Sequence, residues 1–169
     1  MTGLREHHAT LFLPAAAAAA IEAVRREWDP AMAAQIAAHV TLVYPQEAPQ
    51  ADLLAERLRF ACVSAAPFRL RLGAIACWER PEEGVYVEVD DVDGGYRRLR
   101  EALLRPPFQA VAFTPHVTLI HPRTSDRGGD FWACAEPPPS GADFAVSAVA
   151  ITAFDGARCH VTETFRLSR

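Results

Sequence analysis

From His8 to Leu13 apolar and polar positions alternate, with Ala9, Leu11 and Leu13 on one side and His8, Thr10 and Phe12 on the other. Alternation of this kind predicts a strand with one buried face. Pro14 suits a helix start, and Ile21, Val24 and Trp28 then recur at helical spacing, with Glu22, Arg25 and Arg26 on the opposite side. After Asp29-Pro30 a second strand is predicted at His39–Tyr44, closed by Pro45, and a helix at Asp52–Cys62 burying Leu54, Leu58 and Cys62. Phe68–Trp78 and Val85–Asp90 read as a strand pair. A helix at Asp93–Arg105 follows, with Tyr96, Leu99 and Leu103 inward, and then a strand at Phe113–Ile120. Pro122–Gly141, with three consecutive prolines, reads as a long loop. The chain closes with a predicted hairpin, Phe144–Phe154 and Arg158–Leu167, around Asp155-Gly156.

One string occurs twice. His39-Val40-Thr41-Leu42 follows a strand and a helix, and His116-Val117-Thr118-Leu119 follows another strand and helix. The same four residues at the same place in the same supersecondary unit indicate duplication. The expected fold is therefore α+β and bilobal, with a pseudo-twofold axis, an antiparallel sheet in each lobe, helices packed outside and a cleft between. All of residues 1–169 are expected to form one domain of two intertwined lobes.

Composition narrows the class. Half of the 169 residues are apolar and the net charge is −4, which fits a globular chain and not the basic excess of a duplex-DNA binder. Lysine and asparagine are both missing, a bias attributed to a GC-rich genome and not to function. The cysteines form no C-x-x-C pair, so no metal site is expected. Cys62, Cys77 and Cys159 fall in apolar patterns and read as buried free thiols. No run is long and apolar enough for a membrane span. Ala9–Ala20 resembles a signal-peptide core, but Glu6 precedes it and Pro14 interrupts it. A cytoplasmic monomer without cofactor is the expectation.

On a strand His39 and Thr41 share one face while Val40 and Leu42 take the other, and the same holds for His116 and Thr118. If the lobes are symmetric, two imidazoles and two hydroxyls meet across the cleft around a volume suited to a tetrahedral phosphoryl group. With pKa values near 6.5, one imidazole serves as base and the other as acid. The threonine hydroxyls donate to non-bridging oxygens. Around this quartet, His121, Arg123, His8, Phe12 and Tyr86 are candidate substrate contacts. Trp78 and Trp132 are further stacking candidates, and Arg127 a further phosphate candidate.

The paired HVTL motifs resemble the two H-h-T-h signatures (h apolar) of the 2H phosphoesterase superfamily, in its 2′-5′ RNA ligase-like and cyclic phosphodiesterase branch. The likeness extends to PFRLRLGAI at 67–75, GVYVEVD at 84–90 and TPHVTLIHP at 114–122, and so over essentially the whole chain. It implies metal-independent action on 2′,3′-cyclic phosphates or 2′-5′ phosphodiesters of a small nucleotide or RNA end, with His39, Thr41, His116 and Thr118 as the catalytic set. Many members carry arginine five positions past the second motif histidine; here that position is His121. Alternatives are a non-catalytic binding module of the same fold, or a phosphodiesterase for a specialised cyclic oligonucleotide or metabolite. Which imidazole is acid and which is base stays open in the sequence.

Overall fold

The computed structural model describes residues 6–169. The chain runs β1 (His7–Phe12), α1 (Ala15–Trp28), α2 (Pro30–Gln35), β2 (His39–Val43), α3 (Ala51–Ser64), β3 (Phe68–Cys77), a 3-10 turn (Pro81–Glu83), β4 (Val85–Asp91), α4 (Gly95–Leu103), β5 (His116–Ile120), α5 (Gly128–Cys134), β6 (Asp143–Val146), β7 (Ala148–Phe154) and β8 (Cys159–Arg166). The strands form two four-stranded sheets, ordered β2-β1-β7-β8 and β5-β4-β3-β6. Every pairing is antiparallel.

Overlaying the two orders equates β1 with β4 and β2 with β5, and α1 with α4 as the helix joining each pair. That is the duplication expected from the repeated string. Each sheet buries one face: Ala9, Leu11, Val40, Leu42, Val149 and Ile151 in the first, and Leu70, Val85, Val87, Val117, Leu119 and Phe144 in the second. Helices cover these faces, with Ile21, Leu54, Leu58 and Leu99 in the same core. The opposite faces carry the polar alternates, and β2 and β5, the outer strands of the two sheets, lie against one another. The α+β bilobal expectation holds.

Several details differ from expectation. Asp29-Pro30 does not lead directly to β2: Asp29 accepts the Met32 N–H at 3.0 Å and caps the short helix α2. The strand expected from Phe113 begins only at His116: Pro115 has no N–H to carry the ladder further, although its carbonyl still accepts from Val89 N–H. The helix expected to reach Arg105 ends at Leu103. Within the expected loop 122–141, Gly128–Cys134 forms α5, whose Phe131 is buried against Trp28. Seven residues were too few to show helical periodicity, and tertiary packing supplies the stability. The closing strand Phe144–Phe154 is two strands, since the chain crosses at Ser147 from one sheet to the other. All four cysteines are free, but only Cys62 is buried, and burial raises its pKa to about 11. Cys77 and Cys159 are half-buried, at strand ends where the sheet faces open.

Candidate active site

The four motif side chains lie on the unburied faces of β2 and β5. Register places Phe12 opposite His39 and Thr10 opposite Thr41. In the second lobe Glu88 lies opposite His116 and Tyr86 opposite Thr118. Cross-strand partners share a face, so His39 and Thr41 share the open face of the first sheet with Phe12 and Thr10, and His116 and Thr118 that of the second with Glu88 and Tyr86.

The two imidazoles are held the same way. His39 Nδ1 lies 2.8 Å from the Ala37 carbonyl, and His116 Nδ1 lies 2.9 Å from the Thr114 carbonyl, each two residues back along the chain. A carbonyl only accepts, so each Nδ1 carries the proton and each Nε2 lone pair is left for the cleft. Burial lowers both pKa values, the cause that dominates in each. For His39 the fall reaches about 4; the hydrogen bond to Ala37 opposes it, and charges on Arg25, His8 and His116 add to it.

The supports of His39 reach back into α1. Arg25, 1% exposed, donates to the Ile36 carbonyl at 2.8 Å and pairs with Glu22 at 2.9 Å, and Glu22 also accepts the Ala38 N–H. Residues on both sides of Ala37 are therefore pinned by one buried ion pair.

The lobes clasp each other reciprocally. Asp29, fully buried at the end of α1, accepts the N–H of His121 at 2.9 Å and the Thr124 hydroxyl at 2.7 Å, just past β5. From the other side, α4 grips β2: Tyr96 donates to the Thr41 carbonyl at 2.9 Å and Arg100 to the Leu42 carbonyl at 2.6 Å. Arg100 also pairs with the buried Glu47 at 2.6 and 3.0 Å, and Glu47 accepts the N–H of Tyr44 and of Val111. Asp29, Glu47 and Arg100 were not singled out as candidates in the sequence, because their interlobe partners lie far along the chain; the Glu22–Arg25 pair is local, and only its grip on Ile36 and Ala38 reaches beyond the helix.

Aromatic rings wall the cleft. Phe12 meets His39 edge-on at 6.2 Å, and Tyr86 and Trp78 flank His116 at 5.1 and 5.5 Å. Trp78 in turn meets His121 at 6.4 Å. The strand stops at Ile120, so His121 escapes the opposite face that a continuous strand would have given it. Its Nδ1 accepts the Arg123 N–H at 3.1 Å, which leaves the proton on Nε2. His121 is thereby a neutral donor, the reverse of the two motif histidines. Burial lowers its pKa, and the neighbouring Arg123 charge adds to this. The Arg123 side chain is exposed and makes no ion pair among the described residues.

His8 lies 6.4 Å from Tyr44, which stacks at 4.3 Å on Phe113. Tyr44 follows His39 by five positions as His121 follows His116; that matching offset was the signal for a residue the sequence reading passed over. Two further candidates are engaged elsewhere. Arg127 stacks over Trp28 at 4.2 Å and donates to the Glu27 carbonyl. Trp132 is exposed on α5, without an aromatic contact among the described residues. No group of three or more His, Cys, Asp or Glu among the described residues is arranged to hold a metal ion.

This arrangement coincides with a known family model. The model of the 2′-5′ RNA ligase superfamily matches residues 13–158. The chain belongs to that superfamily. Its fold matches the crystal structure of Escherichia coli LigT complexed with 3′-AMP, with a TM-score of 0.68 and 22% identity over 98% of this chain and 99% of that one. A crystal structure described as a phosphoesterase matches at TM-score 0.66 and 21% identity, over 98% and 99% of the two chains. A Thermus thermophilus protein matches at 0.63 and 19%, over 96% and 97%. No curated protein matches the chain by sequence. Membership supports a phosphoesterase-type enzyme. Among the described residues no helix is long and apolar enough to cross a membrane.

Proposed function

We propose that the cleft hydrolyses a 2′,3′-cyclic phosphate, or cleaves a 2′-5′ phosphodiester, at a nucleotide or RNA end, by paired-histidine acid–base catalysis without a metal ion. The observation that carries the reading is the identical anchoring of His39 and His116 through Nδ1, on adjoining strands β2 and β5, which leaves both Nε2 atoms free for a shared phosphoryl group. LigT, similar in fold, has been crystallised with 3′-AMP, NADP+ and ATP, which supports a small nucleotide as ligand.

The two imidazoles take opposite roles in this reading. His39, pushed down to about 4, is neutral at neutral pH and serves as the base. His116, whose pKa burial also lowers, serves as the acid through its protonated fraction. His39 Nε2 takes a proton from water, the water oxygen bonds to phosphorus, and one ring P–O bond breaks. His116 Nε2–H then protonates the departing ribose oxygen, leaving a phosphomonoester and a free hydroxyl. Thr41, Thr118 and the Nε2–H of His121 donate to the non-bridging oxygens, where charge builds up. Arg123, free of carboxylates, supplies long-range positive charge at the rim. Tyr86, Phe12, His8 and Trp78 offer flat faces to the nucleoside.

Incubating the protein in EDTA with a panel of 2′,3′-cyclic mononucleotides and short 2′-5′ oligomers tests the reading. Product formation that survives chelation supports it. Loss of turnover with chelator contradicts the metal-free mechanism. Saturable binding with substrate recovered unchanged across the panel replaces the enzyme with a binding module.

A further inference from the structure

Beyond the histidine pair, the open face of the first sheet continues into a recess of about 250 Å³. Register carries one row of residues into it from the candidate active site. Thr41 pairs with Thr10, Thr10 with Ala150, and Ala150 with Thr164, so all four side chains share a face. Thr10, Phe12, Ala150 and Thr164 line the recess, and Ala145 and Ser147 close it where the chain crosses between the sheets. Phe12 therefore belongs to both places, with one side against His39 and the other against the recess.

The chemistry of the lining selects an occupant. No charged side chain contributes, which disfavours a phosphate or a carboxylate there. The small residues at 145, 148 and 150 leave room that larger side chains would fill. Polar groups are present but neutral: the hydroxyls of Thr164 and Ser147, and backbone groups of β6. That strand is an edge of its sheet. The Arg69 carbonyl accepts from Val92 N–H on the β4 side, so its pairing with Ala145 is of the non-hydrogen-bonded type. Ala145 N–H and C=O accordingly point to the free edge. One aromatic face, small side chains and an unpaired backbone donor and acceptor are the set that reads the edge of a flat heterocycle.

We propose that this recess is a nucleobase subsite, which seats the base of one nucleotide while its phosphate lies between His39 and His116. The strand spacing agrees: β7 lies two strands from β2, about 10 Å. The inference rests on the reading of the cleft as a phosphodiester site, and it deepens that reading by making the first lobe the base-recognising side. On the matching strands of the second lobe the open face carries charge instead, with Arg69 and Arg71 tied to Asp93 and Asp143.

The test is binding, so it stands apart from turnover. Amide shifts of the 15N-labelled full chain are followed during titration with 3′-AMP and, separately, with inorganic phosphate. The expected result is that both move residues around His39 and His116, while only 3′-AMP moves Ala145, Ala148, Ala150 and Thr164. A 3′-AMP titration that leaves those four still overturns the subsite, whatever the enzyme does to cyclic substrates. In Thr164→Trp, which fills the recess from an edge strand, the affinity for 3′-AMP relative to phosphate is expected to fall about tenfold or more. An unchanged ratio in the folded variant also overturns the subsite. Failure of turnover with the shifts intact removes the hydrolytic reading alone.

Discussion

Replacing Glu47 with alanine tests whether the interlobe clasp sets the geometry of the first motif. The carboxylate has no solvent exposure and accepts four hydrogen bonds, two from Arg100 and one each from Tyr44 N–H and Val111 N–H. Its loss leaves the Arg100 guanidinium, 12% exposed at the side chain, without its counter-charge, and leaves two backbone donors unpaired. Breaking a buried ion pair from one side costs about 3–5 kcal/mol, because the surviving charge cannot be solvated. For a chain of this size that is a fall in Tm of roughly 10 °C. Arg100 also holds the Leu42 carbonyl, next to Thr41, so kcat should fall more than the folded fraction explains. Circular dichroism melts and urea titration give the stability, and turnover well below the melt gives the second effect. Pairing Glu47→Leu with Arg100→Met should cost less than Glu47→Ala alone, since no buried charge is then stranded. A single-variant loss below about 1 kcal/mol would refute the reasoning.

Three further outcomes are expected. The free-enzyme profile of kcat/KM should be bell-shaped and acidic: it rises through about pH 4 as His39 loses its proton, and falls below pH 6.5 as His116, its pKa lowered by burial, loses its own. A plateau extending through pH 8 contradicts this. In His121→Leu the loss of the neutral donor should lower kcat about tenfold or more with the pH limbs in place, and His121→Arg should restore most of it; a moved acid limb would instead make His121 a titrating participant. Gly84 has φ +113°, and a Cβ there would stand 2.3 Å from the Trp78 ring. Gly84→Ala should therefore displace the ring that flanks His116, at a cost of about 1–3 kcal/mol, shift tryptophan emission and lower kcat; unchanged emission would refute the contact.

The duplicated string and its alternation made much of this legible, because strand periodicity of two fixes the face of each motif side chain without knowledge of the partner. His39, Thr41, His116 and Thr118 could be placed on one face each, and Phe12, His8 and Tyr86 followed from the neighbouring strands. Asp29 and Glu47 look in the sequence like ordinary acids beside prolines. Their partners lie 92 and 53 residues away, and no local pattern records them. The tautomer of His121 depends on the strand ending one residue earlier, a boundary set by the Asp29 clasp. The recess depends on the crossing at Ser147, where an unbroken alternation conceals a change of sheet.

The central claim is that His39 and His116 act on one phosphorus atom as a unit. Measuring kcat/KM on one 2′,3′-cyclic nucleotide for His39→Ala, His116→Ala and the double variant tests it most directly. Groups that act together are grossly non-additive. The account predicts that each single change removes nearly all activity, and that the double change costs little more than either. Losses that multiply, or one single variant that keeps wild-type turnover, would contradict it.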